Sequence, residues 1–244
     1  MFMGKPDISK IKYLVKKACD LSEREIAECA SLFSANYGHY RDDAPARAGS
    51  QIRMSASFFS ERYMHEDVNI AMAKAGRYLI GQAIYIRKQY PKIGTMTWIL
   101  QLVVSEKYRR CGVGSTLLYS IWGMSNDFAW GLATANPCTV KALEGATFRK
   151  CDPKYISKNL DKIKLLAGET GFVHEDDFSV NDSGSVVNTR FFVDNSEYLE
   201  AYKSISDWKL GNLPAGYEWL AFTFRDQPID EEKQRKHFVR LNPE

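Results

Sequence analysis

Apolar positions along this chain change period several times, and each change predicts an element. In IKYLVKKA (Ile11 to Ala18) apolar and basic residues alternate at roughly every second position, which predicts a strand. From Asp20 to Gly38 the spacing becomes helical: Ile26, Cys29, Ala30 and Phe33 share one face. Ser22 and Glu25 fit a capping box at the start of that helix, and Gly38 suits its stop. The polar DDAPARAGS reads as a loop, and QIRMSASFFSERYM (Gln51 to Met64) as a second helix. VNIAMA and RYLIGQAIYIRKQY are strand-like runs separated by Lys-Ala-Gly, which predicts an antiparallel hairpin.

TMTWILQLVVS (Thr95 to Ser105) holds the densest β-formers and belongs in the middle of a sheet. Gly112 to Met124 follows with Val113, Leu117, Leu118 and Ile121 on one side of a helix. FAWGLATA (Phe128 to Ala135) is a further strand. Asn136 then caps a helix whose first position is Pro137. Strand, helix, strand, helix implies a parallel pair joined by a right-handed crossover. Beyond Phe148 the chain turns basic, with a short amphipathic helix from Asn159, a polar irregular stretch, a strand in VVNTRFFVDN and a helix in SEYLEAYKSISDW. Alternation in EWLAFTF gives a last strand, and the charged tail from Glu231 reads as peripheral.

The chain has 244 residues with ordinary globular composition, which is enough for one domain over 1–244 with an insertion at 150–205. A net charge of +3 permits an acidic ligand without demanding nucleic acid, and bases and aromatics are not interleaved as a nucleic-acid platform needs. The five cysteines form no close Cys-x-x-Cys pair, so neither a disulfide scaffold nor a zinc cage is expected, and the compartment is read as reducing. No metal motif occurs. No apolar run reaches the ~20 residues of a membrane span and the N-terminus has no apolar signal region, so a cytoplasmic protein without membrane contact is expected.

The stretch YRRCGVGSTLLYSIW (Tyr108 to Trp122) carries the most specific chemistry. A helix starting near Gly112 has unpaired N–H groups in its first turn and a positive dipole end. Gly112 and Gly114 let a ligand approach the backbone, and Arg109 and Arg110 can add charge-assisted bonds to phosphate oxygens. These features describe a phosphate or pyrophosphate site. It is not a Walker loop, since Ser115 and Thr116 follow Gly114 without a lysine, and Leu117 stands where a dinucleotide fingerprint has its third glycine. The alternative is a tight turn with both arginines facing water.

Arg109-Arg110-Cys111-Gly112-Val113-Gly114 after a central strand resembles the Gln/Arg-x-x-Gly-x-Gly/Ala motif of the GNAT superfamily of acyl-CoA-dependent N-acetyltransferases. The likeness covers about Lys10 to Phe148 and resumes near Val186. It implies an α/β fold with a mixed central sheet of about six or seven strands flanked by helices. Two of the parallel strands would splay to form an acyl-CoA cleft. It further implies that N–H groups of Cys111, Gly112, Val113, Gly114, Ser115 and Thr116 bind the pyrophosphate of coenzyme A. Leu102, Val103 and Val104 would pair with the pantetheine arm through their main chain. A backbone N–H at Val103 or Val104 would polarise the thioester carbonyl, an oxyanion hole that needs no particular side chain. Asn136 matches a position that contacts the cofactor arm, or is a plain helix cap.

The chain also departs from the family pattern. Leu143 stands where many members carry a tyrosine that protonates the departing thiolate, and Thr147 stands where glycine often precedes the phenylalanine. An amine acceptor must lose a proton, so a general base is expected. No carboxylate lies within the central strand. Glu61, His65, His39, Tyr40, His174 and Glu175 are the candidates, with Gln101 as a residue that could orient water. Cys138 is either a donor near the site or a packed core thiol. Acidic Glu175, Asp176 and Asp177 could attract a cationic amine, and the lysines from Lys150 to Lys164 an acidic partner.

The primary expectation is acetyl transfer from acetyl-CoA to a primary amine, small molecule or protein, by direct attack. Its alternatives are a non-catalytic acyl-CoA-binding regulatory module and an interaction protein whose glycine turn is structural. A homodimer is compatible with any of them.

Overall fold

The computed structural model describes residues 6–123, 125–171, 185–196, 198 and 207–241, with side chains of the last segment described to residue 236. Their order is β1 (Ile11–Lys17), α1 (Glu23–Asn36), α2 (Ala56–Tyr63), β2 (Val68–Ala75), β3 (Tyr78–Tyr90) and β4 (Gly94–Val104). Then come α3 (Val113–Trp122), β5 (Ala129–Thr134), α4 (Pro137–Thr147), α5 (Pro153–Lys158), α6 (Leu160–Gly168), β6 (Val186–Asn188), β7 (Tyr217–Phe224) and α7 (Glu231–Leu241). The described strands hydrogen-bond in the order β1-β2-β3-β4-β5-β7-β6, a mixed seven-stranded sheet with helices, as expected for the fold class. The chain groups into two compact units. The first comprises residues 1–87, 99–122 and 192–194, and the second 88–98, 123–191 and 195–244.

In the first unit β1 and β2 are antiparallel from Ile11↔Ala75 to Lys17↔Asn69, and β2 pairs with β3 in the predicted hairpin. Gly76 closes that hairpin with φ +58°, a left-handed conformation glycine adopts without a Cβ clash. The capping box at α1 is present: Ser22 Oγ accepts from Glu25 N–H at 3.3 Å, and Glu25 accepts from Ser22 N–H at 3.1 Å. Glu25 also binds Lys16 of β1 at 2.8 Å and Lys74 of β2 at 3.5 Å, so one carboxylate fastens the helix start to two strands. The Lys16 ammonium, with help from Ser22, holds its carboxyl down at about 2.

The second helix is shorter than its apolar pattern predicts. Ser55 Oγ accepts from Phe58 N–H and starts α2 at Ala56. Residues 51–54 are held extended instead, by a Gln51↔His39 bridge and by Met54 N–H donating to Ser34 Oγ.

β3 contributes Gly81, where a Cβ would lie 2.9 Å from Leu117 Cδ1 and 3.3 Å from Val113 Cγ1. The missing side chain is what lets the first turns of α3 lie close on the strand.

In the second unit the start of β4 is parallel to β5, with Met96↔Ala129, Thr97↔Trp130 and Trp98↔Gly131 in register. The expected parallel pair is therefore present, and its ladder ends at Trp98, well before β4 itself ends at Val104. β5 runs antiparallel to β7 from Ala129↔Phe224 to Thr134↔Trp219. Asn136 Oδ1 accepts from Cys138 N–H at 2.9 Å and Pro137 opens α4, as predicted. Phe148 at φ 54° ends that helix.

After α4 the structure departs from the predicted pattern. The helix expected from Asn159 is two short helices, because Asp152 caps an additional helix at Pro153 and Asn159 breaks the ladder between them. The strand expected over Val186–Asn195 stops at Asn188. Arg190 adopts φ 54°, and Phe192 C=O and Asp194 N–H turn to Arg41 N–H and His39 C=O instead. The charged tail contains α7. Most of the helix predicted in SEYLEAYKSISDW lies outside the described residues. All five cysteines are free.

Candidate functional site

The turn between β4 and α3 lies wholly in the first unit. A 3₁₀ turn at Glu106–Tyr108 follows β4, and Arg110 and Gly112 then take φ 58° and 83°. Two left-handed residues in three rotate the chain sharply into α3. At Gly112 a Cβ would have nothing within 4 Å, so the glycine serves the backbone angle and leaves open space beside the turn. The first bond into the helix runs from Thr116 N–H to Gly112 C=O at 3.0 Å. Val113, Gly114 and Ser115 N–H therefore precede the intrahelical ladder, as the first amides of a helix do. Thr116, expected among the phosphate-binding amides, has its N–H and its hydroxyl committed to Gly112 C=O. Tyr13 of β1 reaches Thr116 with its hydroxyl, and burial of the ring raises its pKa.

The two arginines are used differently. Arg109 is half-buried: its Nε donates to Val104 C=O at 3.2 Å and its other guanidinium nitrogen to Asn36 C=O. Asn36 Oδ1 in turn accepts from Glu106 N–H at 2.9 Å. Together they pin the glycine turn to the end of β4 and the end of α1. Arg110 is exposed on the turn itself. Cys111 Sγ donates to Arg109 C=O at 3.4 Å.

On β4, Leu102 and Val104 are half-buried while Gln101 and Val103 are buried. Residues 99–104 lie beyond the β5 ladder. Gln101 Oε1 accepts from Gln82 Nε2 at 2.6 Å, and Gln101 Nε2 donates to Tyr63 Oη at 3.3 Å. Both ends of this amide are thus taken up inside the protein, and Gln82 Oε1 is buried without a partner. Burial pushes the Tyr63 hydroxyl up to about 12.

The other candidates disperse. Glu61 and His65 are exposed at the end of α2, where His65 Nε2 bonds Glu61 C=O at 3.0 Å. His39 and Tyr40 are engaged through their backbones in bridges to Gln51 and Val193. His174, Glu175, Asp176 and Asp177 lie outside the described residues. Leu143, at the position of the missing tyrosine, is fully buried in α4. Cys138 is exposed, which removes the core-packing alternative. In the basic segment Lys150 is paired with Asp207 and Glu144, and Lys162 bonds Asn159 and lies 4.4 Å from the Phe128 ring centroid. Those two lysines hold structure together rather than stand free.

One group in the second unit escaped sequence reading. Glu218, at the start of β7, lies one residue beyond the Trp219↔Thr134 pair, against the Ala135 N–H. Thr189 faces the carboxyl but its hydroxyl completes no hydrogen bond of ordinary geometry. Desolvation outweighs both neighbours and raises the Glu218 pKa to about 7. A lone glutamate in the alternating EWLAFTF gave no signal, because its environment is built by residues 29 and 83 positions away (218 − 189 and 218 − 135).

The raised pKa makes a stability prediction. The protonated form favours the folded state, so Glu218 contributes stability below its ordinary value of 4.5, and that contribution is lost as pH rises to about 7. Glu218→Gln should match wild type at pH 5 and exceed it at pH 8 by on the order of 2–3 kcal/mol in urea unfolding. Equal stability differences at both pH values would rule out the shift.

No family model and no curated protein matches the chain. Among solved structures it is similar to a ribosomal-protein-alanine N-acetyltransferase from Brucella melitensis biovar Abortus 2308, at 16% identity over 46% of this chain and 68% of that one, TM-score 0.33. It is also similar to an aminoglycoside acetyltransferase from an uncultured soil metagenomic sample, in complex with trehalose, at 14% identity over 47% and 68%, TM-score 0.35. A third is Arabidopsis thaliana NAA60 in complex with acetyl-CoA, at 18% identity over 58% and 87%, TM-score 0.39.

Proposed function

We propose that this protein is an N-acetyltransferase of the GNAT type, which transfers an acetyl group from acetyl-CoA to a primary amine by direct attack. The observation that carries the reading is the β4–α3 turn. Its leading helix amides and open glycine at φ 83° suit a pyrophosphate, and they occur within the Arg109-x-x-Gly112-x-Gly114 motif. Arg110 is the exposed cation of the turn, and Arg109 holds its shape. The main chain of Leu102, Val103 and Val104 would receive the pantetheine arm, and a backbone N–H at Val103 or Val104 would stabilise the oxyanion. Leu143 cannot donate a proton, so the thiolate leaves as such and draws its proton from the attacking nitrogen or solvent. A thiol pKa near ~8.5 makes that tolerable.

The buried hydrocarbon of Leu143 also favours a second reading, an acyl-CoA-binding regulatory module without catalysis. Calorimetry with acetyl-CoA followed by thiol release in the presence of amines separates the two. Binding with amine-dependent release supports transfer, binding without release supports the regulatory module, and no binding refutes both.

A further inference from the structure

Glu218 is a carboxyl with no counter-cation. Among the described residues, no lysine, arginine or second carboxylate from β5, β6 or residues 189–196 acts on it, Arg190 and Asp194 included; only the Thr189 hydroxyl and the Ala135 N–H do. A purely structural buried acid is normally paired or replaced by an apolar residue. This one is partly open, beside a hydroxyl that lacks a partner of its own. Its surroundings are built with care: buried Asn195 donates from Nδ2 to Ala135 C=O at 3.3 Å, and Asn136 N–H donates to Thr134 Oγ1 at 3.0 Å. The C-terminal end of β5 is thereby fixed, and with it the N–H that faces the carboxyl. β7 alternation puts Trp219 on the opposite face, fully buried, so Glu218 is not a misplaced core position.

We propose that Glu218 is the general base of the transfer reaction, receiving the ammonium of the acceptor and taking one of its protons. The inference rests on the acetyl-transfer reading above. Glu218 carboxylate accepts a proton from R–NH₃⁺, and the freed lone pair forms the C–N bond at the thioester carbon. The C–S bond breaks with its electron pair on sulfur. The second nitrogen proton passes to the thiolate, and Glu218 returns its proton to solvent. A base whose pKa lies near neutrality suits this task, since it is half ionised where it must work. The Thr189 hydroxyl is placed to take part in holding the incoming nitrogen.

The test uses the full chain, acetyl-CoA, and spermidine, tyramine and lysyl-alanine as acceptors, with hydroxylamine, already neutral at pH 7, as a nucleophile that needs less help. Glu218→Gln should bind acetyl-CoA as wild type does and unfold cooperatively. It should lose about 100-fold or more in kcat/KM for whichever amine wild type acetylates. It should also lose the acidic limb of the pH–rate profile near neutrality and keep most of its rate with hydroxylamine. Glu218→Asp should restore part of the rate. An unchanged rate and pH profile in Glu218→Gln overturns the role of Glu218 alone. Wild type that binds acetyl-CoA but acetylates none of these nucleophiles overturns catalysis and this role with it. Failure of wild type to bind acetyl-CoA overturns the acyl-CoA reading itself.

Discussion

Gly112→Asp should leave the protein folded and weaken CoA binding by about 100-fold or more. The fold should survive because a Cβ at this position meets nothing within 4 Å. Binding should fail for two additive reasons. A carboxylate at the leading edge of α3 opposes the pyrophosphate where helix amides should attract it, at a cost of about 1–2 kcal/mol. A side chain at φ 83° also strains the turn that aims those amides, by about 1 kcal/mol or more. Together these approach about 3 kcal/mol, which is two powers of ten in affinity. Gly112→Asn separates the two effects, since asparagine tolerates left-handed angles and carries no charge. It should lose roughly tenfold or less in isothermal titration. Equal affinity of the aspartate variant and wild type would remove the turn from the binding site.

Gly131→Ala should be the most destabilising small substitution in the second unit. Gly131 faces Phe222 across the β5–β7 ladder, and a Cβ there would lie 2.3–2.4 Å from the ring atoms. The ring cannot swing away. It is fully buried, edge-on to Trp98 at 5.2 Å between centroids and stacked beside Phe224 at 6.3 Å. Overpacking of this kind costs about 3 kcal/mol or more, which lowers Tm by roughly 6–12 °C in a chain of this size. Phe222→Leu should be destabilising alone yet recover part of the loss when combined with Gly131→Ala, a coupling of about 1 kcal/mol or more. Additive losses in the double mutant, or a Gly131→Ala variant as stable as wild type, would show that the strands relax around the added methyl.

The elements that repeated a local signal were readable from the chain. Ser22 with Glu25 predicted the capping box, Asn136 with Pro137 predicted the cap of α4, and Lys-Ala-Gly predicted the hairpin between β2 and β3. Each depends on residues within a few positions of one another. Asp152 with Pro153 carried the same signal as Asn136 with Pro137, and it went unread because basic residues around it suggested a surface stretch. β6 was overestimated because alternation in VVNTRFFVDN cannot report a left-handed Arg190 or the distant carbonyl and amide of His39 and Arg41 that capture residues 192–194.

The candidate site divides along the same line. The glycine turn was legible because its chemistry resides in consecutive backbone amides. The division of labour between the arginines was not, since it depends on Asn36, more than seventy residues earlier (109 − 36 = 73). Gln101 looked available for chemistry on its strand, but Gln82 and Tyr63 arrive from two other elements to claim its amide. Glu218 was invisible for the opposite reason: its identity is ordinary, and only the desolvated end of β5 makes it unusual.

The most direct test of the acyl-CoA reading is a crystal structure of the protein grown with coenzyme A. The account predicts pyrophosphate oxygens on the amides of Val113, Gly114 and Ser115 beside Gly112, with the pantetheine arm along Leu102–Val104. Coenzyme A bound elsewhere, or that turn empty at saturating ligand, would contradict it.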